Sequence, residues 1–297
     1  MNIGIGLKHG TYTPEAYAYA SFLKDKGWNV QLEFEDLLDG DLDAHIYVMG
    51  IRPFYLKSKR KDLVEIHEYQ SLSTPRFAKT KDLAKRFLNK KPTARVFLNS
   101  TVKDKFNFTD NIPYVLRDMG VDSALFLPPP KNPRFDLIYC GSIGRAGLVN
   151  ELLRLAEIGL KILIVGDAPA EVINVFSKFP FVEFSGRVKR HELPEIYQQA
   201  RAGLNFTPNI YPFNIQTSTK TLEYCAAGLG VVSNYYEWAD QFSSTRQANF
   251  LWAEKILSRK DFDEFDFNKV DVHDLEWSKI LTNIELDTFL SEVITKK

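Results

Sequence analysis

A glutamate and a lysine lie one helical turn apart in the stretch TSTKTLEYCAAGLGVVSN, residues 217–234. Glu223 is followed at once by apolar and small residues, and an ionised carboxylate in such a setting rarely lacks a partner. Lys220 is one candidate, through an exposed i, i+3 pair worth about 0.2–0.5 kcal/mol. The other candidate is a ligand diol, because a carboxylate can accept from two neighbouring hydroxyl groups.

The helix that carries Glu223 begins with three hydroxyl residues, Thr217, Ser218 and Thr219. The N–H groups of a first helical turn have no partner within the helix and attract anions. Together with the ammonium group of Lys220, this helix start suits a chain of phosphates.

Four loops in the second half of the chain each follow an apolar strand. The first, Gly141-Ser142-Ile143-Gly144-Arg145-Ala146-Gly147, opens a helix, so its N–H groups and Arg145 could hold a phosphate. Its spacing is not the dinucleotide fingerprint, and glycines that merely form a tight turn explain it equally well. The other loops contain Gly166, Arg187 and Thr207. Taken alone, the Gly166 loop is better explained as a simple turn.

The first half offers one histidine of interest. The strand-like stretch Leu63–His67 places His67 at the end of a strand, where a lone histidine is usually a structural hydrogen-bonding residue. The acidic stretch Asp39–Asp43 precedes its strand and is typical of a solvated turn, so no metal site is predicted.

The residues named above lie on or next to strands and helices that are predicted to alternate along the chain. Apolar runs of strand length alternate with helical patterns, which is typical of βαβ units in a parallel sheet. The four prolines of residues 127–133 cannot join a helix or a central strand and indicate a connector. We therefore predict an α/β protein with two Rossmann-like, doubly wound parallel-sheet domains facing across a cleft. The predicted domains are 1–127 and 128–270, followed by a C-terminal helical segment, 271–297.

The amino-acid composition argues against several classes of protein. The chain has 297 residues, 44% of them hydrophobic, and a net charge of zero, which argues against a generic nucleic-acid binder. Cys140 and Cys225 form neither a metal-binding spacing nor a disulfide framework. No apolar run approaches a membrane span, and the N-terminus does not resemble a signal peptide, so we expect a cytoplasmic protein.

The charges are unevenly distributed. Residues 52–105 contain 15 Lys/Arg against 5 Asp/Glu, a net charge of +10, whereas residues 1–51 contain 3 against 8, a net charge of −5. A basic amphipathic helix over residues 77–88 could lie on an anionic membrane surface or bind a lipid-diphosphate acceptor. A solvated helix that covers the sheet explains the pattern equally well.

Five motifs occur in a recognisable order between Phe135 and about Asn234. They are the strand with its loop to Gly147, VGDAP at 165–169, FSGRVKRHELPEIYQQA at 184–200, FTP at 206–208 and KTLEYCAAGLGVVS at 220–233. Looser matches are Asn99-Ser100 with Gly120-Val121-Asp122, and His9-Gly10-Thr11-Tyr12. In these motifs the chain resembles the retaining glycosyltransferases of the GT-B fold that are usually called family 4.

The resemblance implies roles for the residues above. The donor would be a UDP- or GDP-linked sugar, Glu223 would accept from its ribose hydroxyls, and Arg187 would lie beside its base. No cofactor or metal is implied beyond that donor. The nucleotide-binding residues so predicted are Gly141, Ser142, Gly144, Gly166, Arg187, Thr207, Ser218, Thr219 and Glu223, and the catalytic ones are His67, Arg145 and Lys220. The terminal helix of this fold often crosses back to the first domain.

Two departures from the family's pattern affect the expected function. The family commonly has a glutamate eight positions before the ribose glutamate, where this chain has Ile215, and a lysine where it has Ala146. Donor-sugar recognition is therefore open, and Arg145 or Lys220 must supply the cation. We expect transfer of a hexose, with retention, to a glycan or lipid-linked acceptor, as in surface polysaccharide synthesis. The alternatives are a non-catalytic relative that scaffolds an assembly complex and, with less support, a nucleotide-sugar epimerase.

Overall fold

The computed structural model describes residues 1–10, 13–48, 50–74 and 77–296. Two compact units are formed, one by Met1–Gly120 with Asp274–Lys297 and the other by Val121–His273. The division at Gly120 precedes the proline-rich connector because the Leu127 N–H already donates to the Ala226 carbonyl, 3.0 Å away, within the second unit. Thr11 and Tyr12, part of one loose family match, lie outside the described residues.

The first unit contains one six-stranded parallel sheet in the order β2-β1-β3-β4-β5-β6. Its elements are β1 (Asn2–Leu7), α1 (Pro14–Asp25), β2 (Asn29–Phe34), β3 (Ala44–Val48), β4 (Val64–Tyr69), α2 (Ala78–Leu88), β5 (Ala94–Phe97), α3 (Ser100–Phe106) and β6 (Tyr114–Leu116).

The second unit contains another six-stranded parallel sheet, in the order β12-β11-β10-β7-β8-β9. Its elements are β7 (Phe135–Cys140), α4 (Leu148–Glu157), β8 (Ile162–Val165), α5 (Ala170–Val175), β9 (Val182–Gly186), α6 (Leu193–Tyr197), β10 (Ala200–Asn205), α7 (Thr219–Ala226), β11 (Gly230–Ser233), α8 (Glu237–Thr245), β12 (Leu251–Trp252) and α9 (Arg259–Asp263). This is the Rossmann order, whose direction reverses between β7 and β10. Both sheets confirm the predicted fold class.

The C-terminal segment belongs to the first unit and contains two helices, α10 (Trp277–Asn283) and α11 (Leu286–Thr295). The apolar spacing of the sequence slips here because the helix breaks at Glu285, whose φ is +49°. The indole of Trp277 packs against Gly120, where an added Cβ would lie 2.2 Å from the ring. Gly120 therefore allows the close approach of Trp277, whose ring centroid also lies 6.3 Å from that of Tyr19 on α1.

One predicted strand has a different end in the structure. The strand predicted over Leu63–His67 is β4, which continues to Tyr69. Strand β5 ends at Phe97, and Asn99, two residues later, caps α3. The two-residue strand β12 was missed because it is too short to show an apolar period.

Candidate donor-binding site

The reversal point of the second sheet brings two loops together. One follows β7 and runs through residues 141–147, and the other follows β10 and leads to α7. In doubly wound sheets, ligands bind in the crevice outside the carboxyl ends of the strands at this point. All of the predicted nucleotide-binding residues lie on α7 or on loops at this edge of the sheet, including those after β8 and β9.

Arg145 links the two loops. Its Nη1 donates to the carbonyl of Phe206 at 2.6 Å and lies 3.5 Å from Oγ1 of Thr207. Helix α4 begins just after Arg145, with Gly147 at its N-cap in the left-handed region, φ +84°. The arginine is thus positioned between a helix N-terminus and the β10 loop, where an anion would find two sources of positive potential.

Three glycines hold the loops after β7, β8 and β9 side by side. The N–H of Gly141 donates to Val165, and the N–H of Gly166 donates to Gly186. Gly166 has φ +136°, and a Cβ there would lie 2.4 Å from the carbonyl oxygen of Gly141. The backbone can approach this closely only because Gly166 has no side chain.

The outer part of these loops is exposed. Ser142 and Gly144 lie at the surface, and the Ser142 carbonyl accepts from the hydroxyl of Tyr139 at 2.7 Å. Arg187 forms a salt bridge with Asp167 at 2.8 Å, with both side chains more than half exposed. This pair joins the β8 and β9 loops, but its exposure makes its contribution to stability small.

Helix α7 begins at Thr219, with Ser218 as its N-cap. The hydroxyl of Ser218 accepts from the Thr221 N–H at 3.3 Å and donates to the side chain of Asn205 at 2.9 Å. The first turn of α7 is thereby fixed to the carboxyl end of β10. This helix N-terminus lies beside the loop that Arg145 contacts.

A buried polar network behind this helix start was not predicted. Asn205 donates from Nδ2 to Ser233 and Tyr236, both at 3.0 Å, while Asn234 pairs with the backbone of Thr207 at 2.7 and 2.8 Å. These side chains connect the ends of β10 and β11. Polar residues directly after two apolar strands were the available sequence signal.

Glu223 is buried, with 3% of its surface exposed, so the alternative of a pair with Lys220 on the exposed helix surface does not describe it. The pair itself exists, because Nζ of Lys220 lies 2.5 Å from Oε2 of Glu223. The hydroxyl of Tyr197 donates to the same oxygen at 2.5 Å. Removing either donor would leave a buried carboxylate with less compensation, which is costly.

Two side chains near Glu223, those of Tyr197 and Cys140, have raised pKa values. Burial, together with the charge of Glu223, raises the pKa of Tyr197 well above its usual value, so the hydroxyl keeps its proton and can donate. Burial also raises the pKa of the Cys140 thiol at the end of β7. The Cys140 N–H donates to the hydroxyl of Tyr224 at 3.0 Å. Tyr197 was missed as a partner because sequence spacing does not show that α6 and α7 adjoin.

His67 is placed differently from the prediction. It lies inside β4 rather than at its end, and none of its surface is exposed. Neither ring nitrogen has a hydrogen-bond partner among the described residues. Burial lowers the pKa of His67 to about 3, so the imidazole is neutral near pH 7. Contact with a reacting sugar would therefore require this part of the first unit to open, and the predicted catalytic role stays a prediction.

No group of three or more His, Cys, Asp or Glu side chains within the described ranges could hold a metal ion. No helix among those residues is long and apolar enough to cross a membrane.

Residues 145–280 match the model of a protein family described as glycosyl transferase-like. This match covers most of the second unit and the start of the C-terminal segment. No curated protein matches the sequence.

Solved glycosyltransferase structures have the same fold over the whole chain. AviGT4, a glycosyltransferase involved in avilamycin A biosynthesis, is 11% identical with a TM-score of 0.64, covering 100% of this chain and 98% of its own. T4 phage BGT in complex with UDP-glucose is 17% identical with a TM-score of 0.56, covering 100% and 98%. Anabaena HepE in complex with UDP-glucose is 11% identical with a TM-score of 0.60, covering 100% and 99%. These likenesses show the GT-B fold that the motifs predicted.

Proposed function

We propose that this glycosyltransferase-like chain transfers a hexose from a UDP- or GDP-linked donor to a glycan or lipid-linked acceptor. The observation that carries the proposal is the arrangement at the reversal point of the second sheet. Arg145, the N-terminus of α7 and the pair of half-buried Lys220 with buried Glu223 all belong to the elements around β7 and β10. A nucleoside diphosphate carries both the charge and the hydroxyl groups that such residues recognise.

The diphosphate is proposed to lie against the loop after β7 and the start of α7. Backbone N–H groups of Gly141, Ser142 and Gly144 and those of Ser218 and Thr219 would supply donors, as helix starts and glycine loops do for phosphate. Arg145 and Lys220 would supply the charge that offsets the diphosphate as it leaves.

The ribose is proposed to bind Glu223. Its carboxylate already accepts from Lys220 and Tyr197, but two oxygens offer about four lone-pair sites, which leaves capacity for hydroxyl donors. The base would then lie near the loops of Gly166 and Arg187, with Thr207 beside the phosphates.

Transfer is proposed to proceed with retention and without a metal. The acceptor hydroxyl would attack on the face from which the diphosphate leaves and give its proton to that leaving group. The protein would then contribute positioning and stabilisation of developing phosphate charge rather than a nucleophile. Synthesis of a surface polysaccharide, by a protein held peripherally at the inner face of a membrane, is the proposed setting.

A panel of UDP- and GDP-sugars tests this function. Donor hydrolysis or transfer by the full chain, with the anomeric configuration of the product read by NMR, should show turnover of at least one donor with retention. Binding of UDP or GDP without turnover of any donor would instead support the non-catalytic relative, which the apolar Ile215 in place of an acid favours. Failure to bind either nucleotide would contradict both the proposed transferase and the non-catalytic alternative.

A further inference from the structure

The first unit contains a cavity of about 750 Å³ that the proposed transfer does not use. Most of its lining comes from the end of α2, the connection from α2 to β5 and the connection from α3 to β6, and the rest from Phe54, Arg95 and Tyr69, the last residue of β4. Connections that run from a helix into a parallel strand lie at the amino ends of the strands. Most of the lining is therefore away from the carboxyl ends, where ligands of such sheets usually bind.

Positive charge dominates the cavity. Its lining contains four cations, Arg86, Lys90, Lys91 and Arg95, and one carboxylate, Asp110. Arg95 is 4% exposed and holds Asp110 through two bonds of 2.5 and 2.8 Å.

Salt bridges within the protein neutralise only part of the positive charge that lines the cavity. Lys90 is paired with the buried carboxylate of Glu65 at 2.7 Å. In the described part of the chain, Arg86 and Lys91 form no salt bridge, so two of the four positive charges remain for a ligand. An anionic group is the chemistry that would complete this site.

Aromatic rings line the same cavity. Phe54 and Phe87 are 64% and 67% exposed, although large apolar side chains are usually covered. Phe108 lies against the guanidinium of Arg95, with 3.8 Å between that group and the ring centroid. Aromatic faces beside charged and amide groups provide apolar contact and polar recognition together, which suits the C–H face and the hydroxyl groups of a sugar ring.

We infer that this cavity binds an anionic saccharide, either a uronate or a phosphosugar, at a site separate from the donor site. Exposed Phe54 and Phe87 contact the ring, and Arg86 and Lys91 bind the anionic group. Buried Asn89 and partly exposed Asp110 bind hydroxyl groups. A nucleic acid fits less well, because among the described residues only Arg86 and Lys91 of the lining cations have no salt bridge, which suits one anionic group rather than a chain of phosphates.

Binding by the full chain tests the inference, with glucuronate, glucose 6-phosphate and neutral glucose as probes in titration calorimetry. One or both anions should bind at least about ten-fold more tightly than glucose, as expected for a charge-assisted contact. The double variant Arg86→Gln/Lys91→Gln should lose this preference. Lys81→Gln, on the same helix but outside the cavity lining, removes one charge and should leave it unchanged.

The affinity for UDP separates this site from the donor site. UDP binding should be unchanged in the double variant, since no proposed donor residue is altered. Equal affinity for glucose and both anions would overturn the inference, and so would a double variant that behaves like Lys81→Gln. Tight binding of an oligo-dT that only the double variant loses would make the cavity a nucleic-acid site and overturn the saccharide assignment.

Discussion

Glu223 shows how a single residue could be recognised from sequence while its surroundings could not. The carboxylate in an apolar helix indicated that a partner exists, and the structure places Lys220 and Tyr197 on it. The lysine was visible because it is three residues away in the same helix. The tyrosine was not, because it reaches Glu223 from α6 and only the tertiary packing brings the two together.

Replacing Glu223 with glutamine should weaken UDP binding by about 1–3 kcal/mol, as expected when a hydrogen bond to a charged group is lost. Titration calorimetry on the folded variant measures this. Thermal unfolding should also show a loss of stability, because the half-buried ammonium of Lys220 would lose the carboxylate of Glu223 that offsets its charge.

The matched control for this change is Glu157→Gln, which removes the same charge from an exposed pair with Lys178. It should alter neither property appreciably. A Glu223→Gln variant that is less stable but binds UDP as tightly as the parent would leave Glu223 a purely structural role.

His67 should make stability depend on pH. Its folded pKa of about 3 lies below the ordinary value of 6.5, so the unfolded chain binds an extra proton between these values. The stabilisation is complete above pH 6.5 and is lost as the pH falls toward 3, by up to about 1.4 kcal/mol per pH unit.

Urea unfolding at a series of pH values measures this slope, which His67→Leu should reduce. His191→Gln, at an exposed histidine, is the control and should keep it. The same slope in the parent and in His67→Leu would show that His67 is not held neutral in the fold.

At the scale of elements, the existence of the strands and the positions of their ends were predictable to different degrees. Alternating apolar runs predicted two parallel sheets, because buried strands and amphipathic helices have distinct periods. Strand ends are set by tertiary contacts instead. In the sequence Ala200 continues the helical pattern that begins at Leu193, yet it begins β10, because it pairs with Phe135.

The close contact of the glycine loops leads to a prediction for Gly166→Ala. The added Cβ would lie 2.4 Å from the Gly141 carbonyl oxygen, and φ is +136°, so the loops after β7 and β8 must separate. We expect a loss of stability larger than about 1 kcal/mol and weaker UDP binding, measured by urea unfolding and calorimetry.

Gly159→Ala is the matched control, because Gly159 also has a positive φ, +86°, but has no atom within 4 Å of an added Cβ. It should cost backbone strain alone and leave UDP binding unchanged. If both variants lose the same stability and bind UDP equally well, contact between the loops does not shape the site.

The whole chain has a net charge of zero, but residues 1–51 are acidic and residues 52–105 form a basic segment. If this segment contacts an anionic membrane surface, association with phosphatidylserine vesicles should weaken as salt rises from low to physiological concentration, because salt screens exposed charges. Co-sedimentation measures the bound fraction, and neutral phosphatidylcholine vesicles are the control.

Replacing Lys79 and Lys81 on α2 with glutamine should reduce the bound fraction further. Association that does not respond to salt, or equal association with neutral vesicles, would speak against a membrane role for the basic segment.

The first unit is formed by two separate stretches of the chain, and this affects the order in which the protein can fold during synthesis. Residues 1–120 leave the ribosome early, but Trp277, which packs against Gly120 and lies near the ring of Tyr19, is translated only after the second unit. All strands of the second unit have therefore been translated before the last part of the first unit. During synthesis the surface around Gly120 and Tyr19 therefore stays uncovered until the C-terminal segment has been translated.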